Sequence, residues 1–239
     1  MTTTAVVTVT AIGTGSVTAP TGAYAVDVEA WGPGGSGAKS ATKPGGAGAG
    51  AYAISTNINV TAGSTIIYWD VFDGGALVTG GYSSDGNPGT GKTWIRVGTN
   101  SAPTSSVDGA LADFGTAGLR GGAGTGGLAT NSIGSIRHAG GSGYSSSSVI
   151  GGGGSSGCPT ADGLSATSAT GAAASGTDSG PGGGSNTAGT QPGGGGGASD
   201  NGGGEGSLKS GAGAPGQVRY TFYINVYTGS PQFLIFNFN

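Results

Sequence analysis

Pro192-Gly193-Gly194-Gly195-Gly196-Gly197-Ala198 carries nothing larger than a methyl group after its proline, and how such a run is held decides what kind of protein surrounds it. Glycine loses more conformational freedom on ordering than any other residue, and its N–H and C=O must be paired wherever water is excluded. The run is therefore either disordered or bonded laterally to other segments. With 58 glycines and 10 prolines in 239 residues, composition alone points to a low-complexity chain. Further glycine clusters at 121–127, 140–143, 151–157, 180–184, 202–206 and 211–216 are separated by Ser, Thr, Ala and Asn stretches, which read as packed segments joined by loops. Between residues 114 and 216 large side chains nearly vanish, so no side-chain core forms there. A stack of extended left-handed strands of the polyproline II type is expected instead, packed so closely that only glycine fits at the contacts. A strict G-X-Y period is absent, which excludes a collagen triple helix, and G-G-x-G-x-D does not recur as it would in a calcium-binding β-helix.

The sequence flanking this part reads as β-structure. Residues 217–227 place Val218, Tyr220, Phe222, Ile224 and Val226 on one face and Arg219, Thr221, Tyr223, Asn225 and Tyr227 on the other, the period of a half-buried strand. Tyr24, Val26, Val28 and Ala30 alternate with Ala25, Asp27 and Glu29 in the same way. Residues 4–12, 51–60 and 93–97 predict further strands, and 65–72, apolar on both faces, predicts a central one. No apolar set recurs at i, i+3, i+4, i+7, so helix is expected to be almost absent. The fold class is thus all-β: strands from both chain ends, arranged as a sandwich, framing a stack of glycine-rich extended segments. One domain spans 1–227, comprising a strand-rich part (1–114), a glycine-rich part (115–216) and a closing strand (217–227). Residues 228–239 form an apolar tail.

Eight Lys and Arg against eleven Asp and Glu leave no clustered positive charge for nucleic acid. The single Cys158 excludes an intrachain disulfide framework and is expected to pack as a small apolar residue, and with His138 the only histidine there is no Cys/His zinc set. No run approaches the length of a membrane span and residues 1–38 lack Lys and Arg, so the expectation is synthesis in a cytoplasm without a signal peptide or membrane insertion.

Gly86-Asn87-Pro88-Gly89-Thr90-Gly91-Lys92-Thr93 satisfies the phosphate-binding pattern G-x-x-x-x-G-K-[ST], but that pattern works by opening a helix, and Thr93-Trp94-Ile95-Arg96-Val97-Gly98 reads as a strand. A Gly/Pro turn is the expectation. Asp27 and Glu29 share a strand face but point in parallel, unlike the carboxylates of a glycosidase, and read as a solvated face. Asp70, Asp73 and Asp85 read as turn-capping residues and not as a calcium loop. His138 has no nucleophile elbow beside it. The chain is therefore expected to be non-enzymatic, with no catalytic, cofactor or metal residues.

Two features suit binding. Tyr82 and Tyr144 stand in Gly/Ser loops, either contacting a receptor or lidding the end of the glycine stack. Phe233, Leu234, Ile235, Phe236 and Phe238 make the tail apolar on both faces, so it is either an assembly strand buried in a partner, homo-oligomeric or otherwise, or a final strand of its own sandwich.

Several segments resemble, in order and spacing, the glycine-rich domains of phage tail-fibre adhesins and virion surface proteins of the polyglycine-helix type. Residues 17–35, with Ala30-Trp31-Gly32-Pro33-Gly34-Gly35, are similar to that family's opening strand running into W-G-x-G-G. Residues 45–52 and 58–66 are similar to its glycine run, strand and turn, and Gly211-Ala212-Gly213-Ala214-Pro215-Gly216-Gln217-Val218 to its closing pattern. The resemblance implies a virion location and a tail-fibre or fibre-tip role contacting a bacterial surface protein or glycan, with other fibre or capsid subunits as partners. The alternatives are a capsid decoration or head fibre without receptor binding and, more remotely, an ice-binding glycine-helix protein.

Overall fold

The computed structural model describes residues 2–79, 83–200 and 209–226. Among these residues twelve strands succeed one another along the chain: β1 (Thr2–Val9), β2 (Gly13–Thr18), β3 (Ala23–Trp31), β4 (Lys39–Ser40), β5 (Tyr52–Asn59), β6 (Ile66–Val71), β7 (Ser83–Ser84), β8 (Thr93–Val97), β9 (Gly109–Ala112), β10 (Ile136–His138), β11 (Ser199–Asp200) and β12 (Gln217–Asn225). Among the described residues the only helical element is a 3-10 turn at Ala129–Asn131. The fold is all-β, as the sequence predicts.

Two sheets form a sandwich, one of order β1-β12-β3-β5-β10 and one of order β2-β6-β8-β9. The alternation of β12 sets the core: Val218, Tyr220 and Phe222 face inward with Val26, Val28 and Ala30 of β3, against Ile67, Val71, Ile95 and Ala110 of the opposite sheet. Burying each large apolar side chain contributes about 1.5–3 kcal/mol. β6 lies inside its sheet between β2 and β8, the central place its two apolar faces predict. Gly15 of β2 stands opposite Trp69, whose ring lies over it and stacks on Tyr220 at 5.8 Å. A Cβ at Gly15 would overlap that ring.

Every strand at one pole of the sandwich continues into an extended glycine segment. Trp31 leads into 32–38, Val71 into 72–79, Ala112 into 113–119 and His138 into 139–144, while 45–51 leads into Tyr52, 85–92 into Thr93 and 210–216 into Gln217. These segments have no internal backbone–backbone hydrogen bonds and bond sideways with a period of three. Gly32, Gly35 and Ala38 donate to the carbonyls of Ala51, Gly48 and Gly45, and Gly45, Gly48 and Ala51 donate in turn to Leu119, Thr116 and Asp113. Three residues per turn without internal bonding is the polyproline II geometry.

Segment 45–51 shows the lattice complete. Gly46 and Ala49 donate to Tyr144 and Gly141, and Ala47 and Gly50 to Gly196 and Gly193. It accepts from 32–38, from Gly124 and Gly127, and from Gly154 and Gly157. Every N–H and C=O from 45 to 51 is thus bonded to one of six surrounding segments: 32–38, 113–119, 124–127, 141–144, 151–157 and 193–196. Segments 32–38, 151–157 and 193–198 are enclosed in the same way, and these four runs are buried throughout. The Cβ of a residue replacing Gly48 would fall on the Thr125 carbonyl, backbone that has no freedom to move aside.

Candidate functional site

The period-three register fixes the direction of each segment and with it the position of every turn. Segments 32–38, 113–119, 139–144 and 193–198 run away from the sandwich, and 45–51, 122–128, 151–157 and 210–216 run back toward it. The turns at 39–44, 119–122 and 145–150 therefore meet at the far pole of the array, with 168–171 and 184–187 beside them. Thr2 pairs with Asn225 at the opposite pole of the sandwich.

This far pole is dense in hydroxyls, and each turn is braced by its own. Ser40 Oγ and Thr42 Oγ1 lie 3.0 Å apart, Ser83 Oγ donates to Ser40 Oγ at 3.2 Å, Val149 N–H donates to Ser146 Oγ at 3.0 Å, and Thr187 Oγ1 donates to Gly184 O at 2.8 Å. Short Ser and Thr side chains close turns in this way. Arg120 ties the 119–122 turn to Asp85, its N–H donating to Oδ1 at 2.8 Å. Between three of the turns lies a cavity of about 270 Å³ lined by Thr42, Lys43, Gly121, Ser145, Ser146 and Ser147.

Tyr144 stands at the rim of this ground, half-buried, with its N–H donating to Gly152 O at 2.8 Å and its carbonyl accepting from Gly46 N–H at 2.9 Å. Its backbone is the last lattice residue before the serine run. Tyr82 lies outside the described residues, as do Phe233, Leu234, Ile235, Phe236 and Phe238. Thr42, Lys43 and Gly121 carry no individual signal in the sequence. What could have found Thr42 and Lys43 is their place between two successive glycine runs, while Gly121 opens such a run.

The phosphate-loop match resolves into lattice. Gly86 and Gly89 donate to the carbonyls of Gly118 and Gly115, Asn87 donates to Ser36 Oγ and Thr90 to Asp73 O, so these N–H groups are committed within the array. Lys92 Nζ lies 3.3 Å from Asp113 Oδ1, and Thr93 begins β8 with its Oγ1 accepting from Phe72 N–H. Asp73 caps Gly74 N–H at 2.8 Å. Asp70 is a half-buried β6 residue whose carboxyl is raised by desolvation. Cys158 is buried.

Glu29 corrects the expectation of a solvated face. It is only 6% exposed and grips Arg219, its register partner on β12, with Nε and Nη2 each 2.7 Å from a carboxylate oxygen. Tyr52 OH donates to the same carboxylate at 2.7 Å, Arg219 Nη1 reaches Asp178 at 2.7 Å, and the guanidinium lies 5.2 Å from the Trp31 ring centre. Burial, and then the Glu29 charge, push the Tyr52 phenol far above its ordinary value, while hydrogen bonding to Glu29 raises Arg219. Asp27 is committed too, accepting from Asn57 N–H at 2.6 Å and from Tyr223 OH at 2.7 Å. His138 stacks on Tyr52 at 6.3 Å with Nδ1 3.3 Å from Asp162. The cluster rivets the outer face of the sheet to the loop that carries Asp178.

A family model described as a glycine-rich domain matches residues 8–223. The chain belongs to this family. The glycine-rich domain so defined takes in the whole array, its turns and the sandwich strands from β2 onward; it begins at the last two residues of β1 and stops two residues short of the end of β12. No curated protein matches the chain.

Proposed function

We propose that this glycine-rich domain is a bacteriophage tail-fibre or fibre-tip component that presents the turns of its array to a receptor on the bacterial surface, a protein or a glycan. The observation that carries the reading is polarity. Hydroxyl-rich turns and a shallow cavity occupy one pole, and the chain leaves the sandwich at the other, beside Thr2 and Asn225. Binding residues are commonly set on loops held by a rigid scaffold. Here the scaffold is a lattice in which each interior segment is fixed by its neighbours, so the turns are presented with little freedom to lose on contact. Other virion subunits would then attach at the sandwich pole, and the protein would reach the particle without crossing a membrane.

Adsorption of virions carrying Tyr144→Ala or Ser146→Arg tests this. Particles of normal composition should adsorb to host cells about tenfold more slowly, the loss expected from one recognition contact of about 1.4 kcal/mol. Thr221→Arg, on the outer face of the sandwich, should leave adsorption as it is. Unchanged adsorption in both tip variants would overturn the reading in favour of a capsid decoration or head-fibre role without receptor contact.

A further inference from the structure

Among the described residues β1 is the longest edge of the sandwich that nothing blunts; β2, at an edge of the second sheet, is also uncharged but has six residues, two of them glycine. β1 is flanked only by β12, and its outer row of N–H and C=O groups bonds to no other described backbone. Edge strands are normally short, bulged or guarded by charge or proline. β10, at the other edge of the sheet, has three residues, and β9, at the edge of the second sheet, is bridged by Ile133. β1 has eight residues in unbroken register, Thr2-Thr3-Thr4-Ala5-Val6-Val7-Thr8-Val9, with no charge and no proline. Val6 is 57% and Val7 41% exposed, one on each face.

A matching segment exists in the same chain. Gln232-Phe233-Leu234-Ile235-Phe236-Asn237-Phe238-Asn239 is uncharged, comes after Pro231, and equals β1 in length. It continues from β12, whose last residue Asn225 stands opposite Thr2 at the foot of β1. Added to a sheet edge, it would turn Phe233 and Ile235 to one face and Leu234, Phe236 and Phe238 to the other. Laid on its own β1 it would cover the open core beside Val7 with one face and leave the other three apolar side chains in water. Reciprocal exchange across a two-fold axis removes that cost, because the outward faces of the two added strands then meet.

We infer that β1 is the docking edge for residues 232–239 of a second copy of this chain, giving a strand-exchanged dimer joined at the sandwich pole. Sedimentation equilibrium of the full chain should give a dimer at micromolar concentration. Val6→Lys, which guards the edge, and a chain ending at residue 230 should each be monomeric with the thermal transition retained. In the double variant Val6→Cys, Phe236→Cys, which pairs two outward-facing positions, oxidation should yield a covalent dimer on a non-reducing gel. A monomeric full chain, a dimer that survives both changes, or a cross-link closed within one chain would each overturn the inference. None of these readouts depends on receptor binding.

Discussion

The sandwich and the array join end to end yet are held by opposite means. In the sandwich, specificity resides in side chains: Ile95, Val28 and Phe222 fill a shared interior, and the backbone ladder only sets their register. In the array the backbone is both surface and interior, because the residues from 45 to 51 spend every N–H and C=O on other segments and carry nothing larger than a methyl group. The lesson concerns which direction of change each region tolerates. A side-chain core suffers when atoms are removed, and a backbone lattice suffers when they are added.

Gly48→Ala should be the largest effect. One methyl group there meets the Thr125 carbonyl, and insertion into packed interiors costs about 1–3 kcal/mol even where side chains can shift. With only bonded backbone to displace, a loss above about 3 kcal/mol is expected in urea unfolding, equal to or exceeding Ile95→Ala at about 2–5 kcal/mol. A Gly48→Ala protein of unchanged stability would dissolve the contrast.

Glu29→Gln tests the seam. Removing one partner of a buried ion pair leaves Arg219 half-satisfied, at a cost of about 3 kcal/mol by the same measurement. Tyr52 gives a pH signature at the same place. Its phenol is held neutral in the fold far above the ordinary 10.0, so the unfolded chain releases the proton first as pH rises. Stability is therefore intact below pH 10 and falls above it, by up to about 1.4 kcal/mol per pH unit from this group. Tyr52→Phe should make the alkaline limb shallower by that amount, and an unaltered limb would place the effect elsewhere. The smallest change is Gly121→Ala. At this turn glycine a Cβ would meet nothing within 4 Å, so thermal unfolding should move by less than about 0.5 kcal/mol. A large loss there would mean that the lattice extends into the turns.

The strands that alternation makes legible are those with one apolar face. β12, β3 and β8 lie where Val218, Val26 and Trp94 announce them. β2 escapes because its residues are Gly, Thr, Ser and one Val, the inward place of a large side chain being taken by Trp69 reaching across from β6. β9 escapes because Gly109-Ala110-Leu111-Ala112 has too few residues to show a period. Glycine clustering makes the array legible in kind, but its neighbour relations are not, since one glycine run can pair with any other of similar length. Glu29 is misread for a related reason. Its partner Arg219 is 190 residues away, and only the β3–β12 register brings them together. Tyr144 stands out as an aromatic in a serine loop, while Thr42, Lys43 and Gly121 become part of one surface only when the direction of every segment is known.

The pairing of Thr2 with Asn225 at the foot of the sandwich has a mechanical consequence. A pull between the turns and the foot runs along the strands and segments, so many hydrogen bonds share the load in shear. A pull that separates residues 2 and 226 meets the β1–β12 ladder one rung at a time, as a zipper opens. The molecule should be stiff along its own axis and weak across its base, and β1 should be the first element to peel under force.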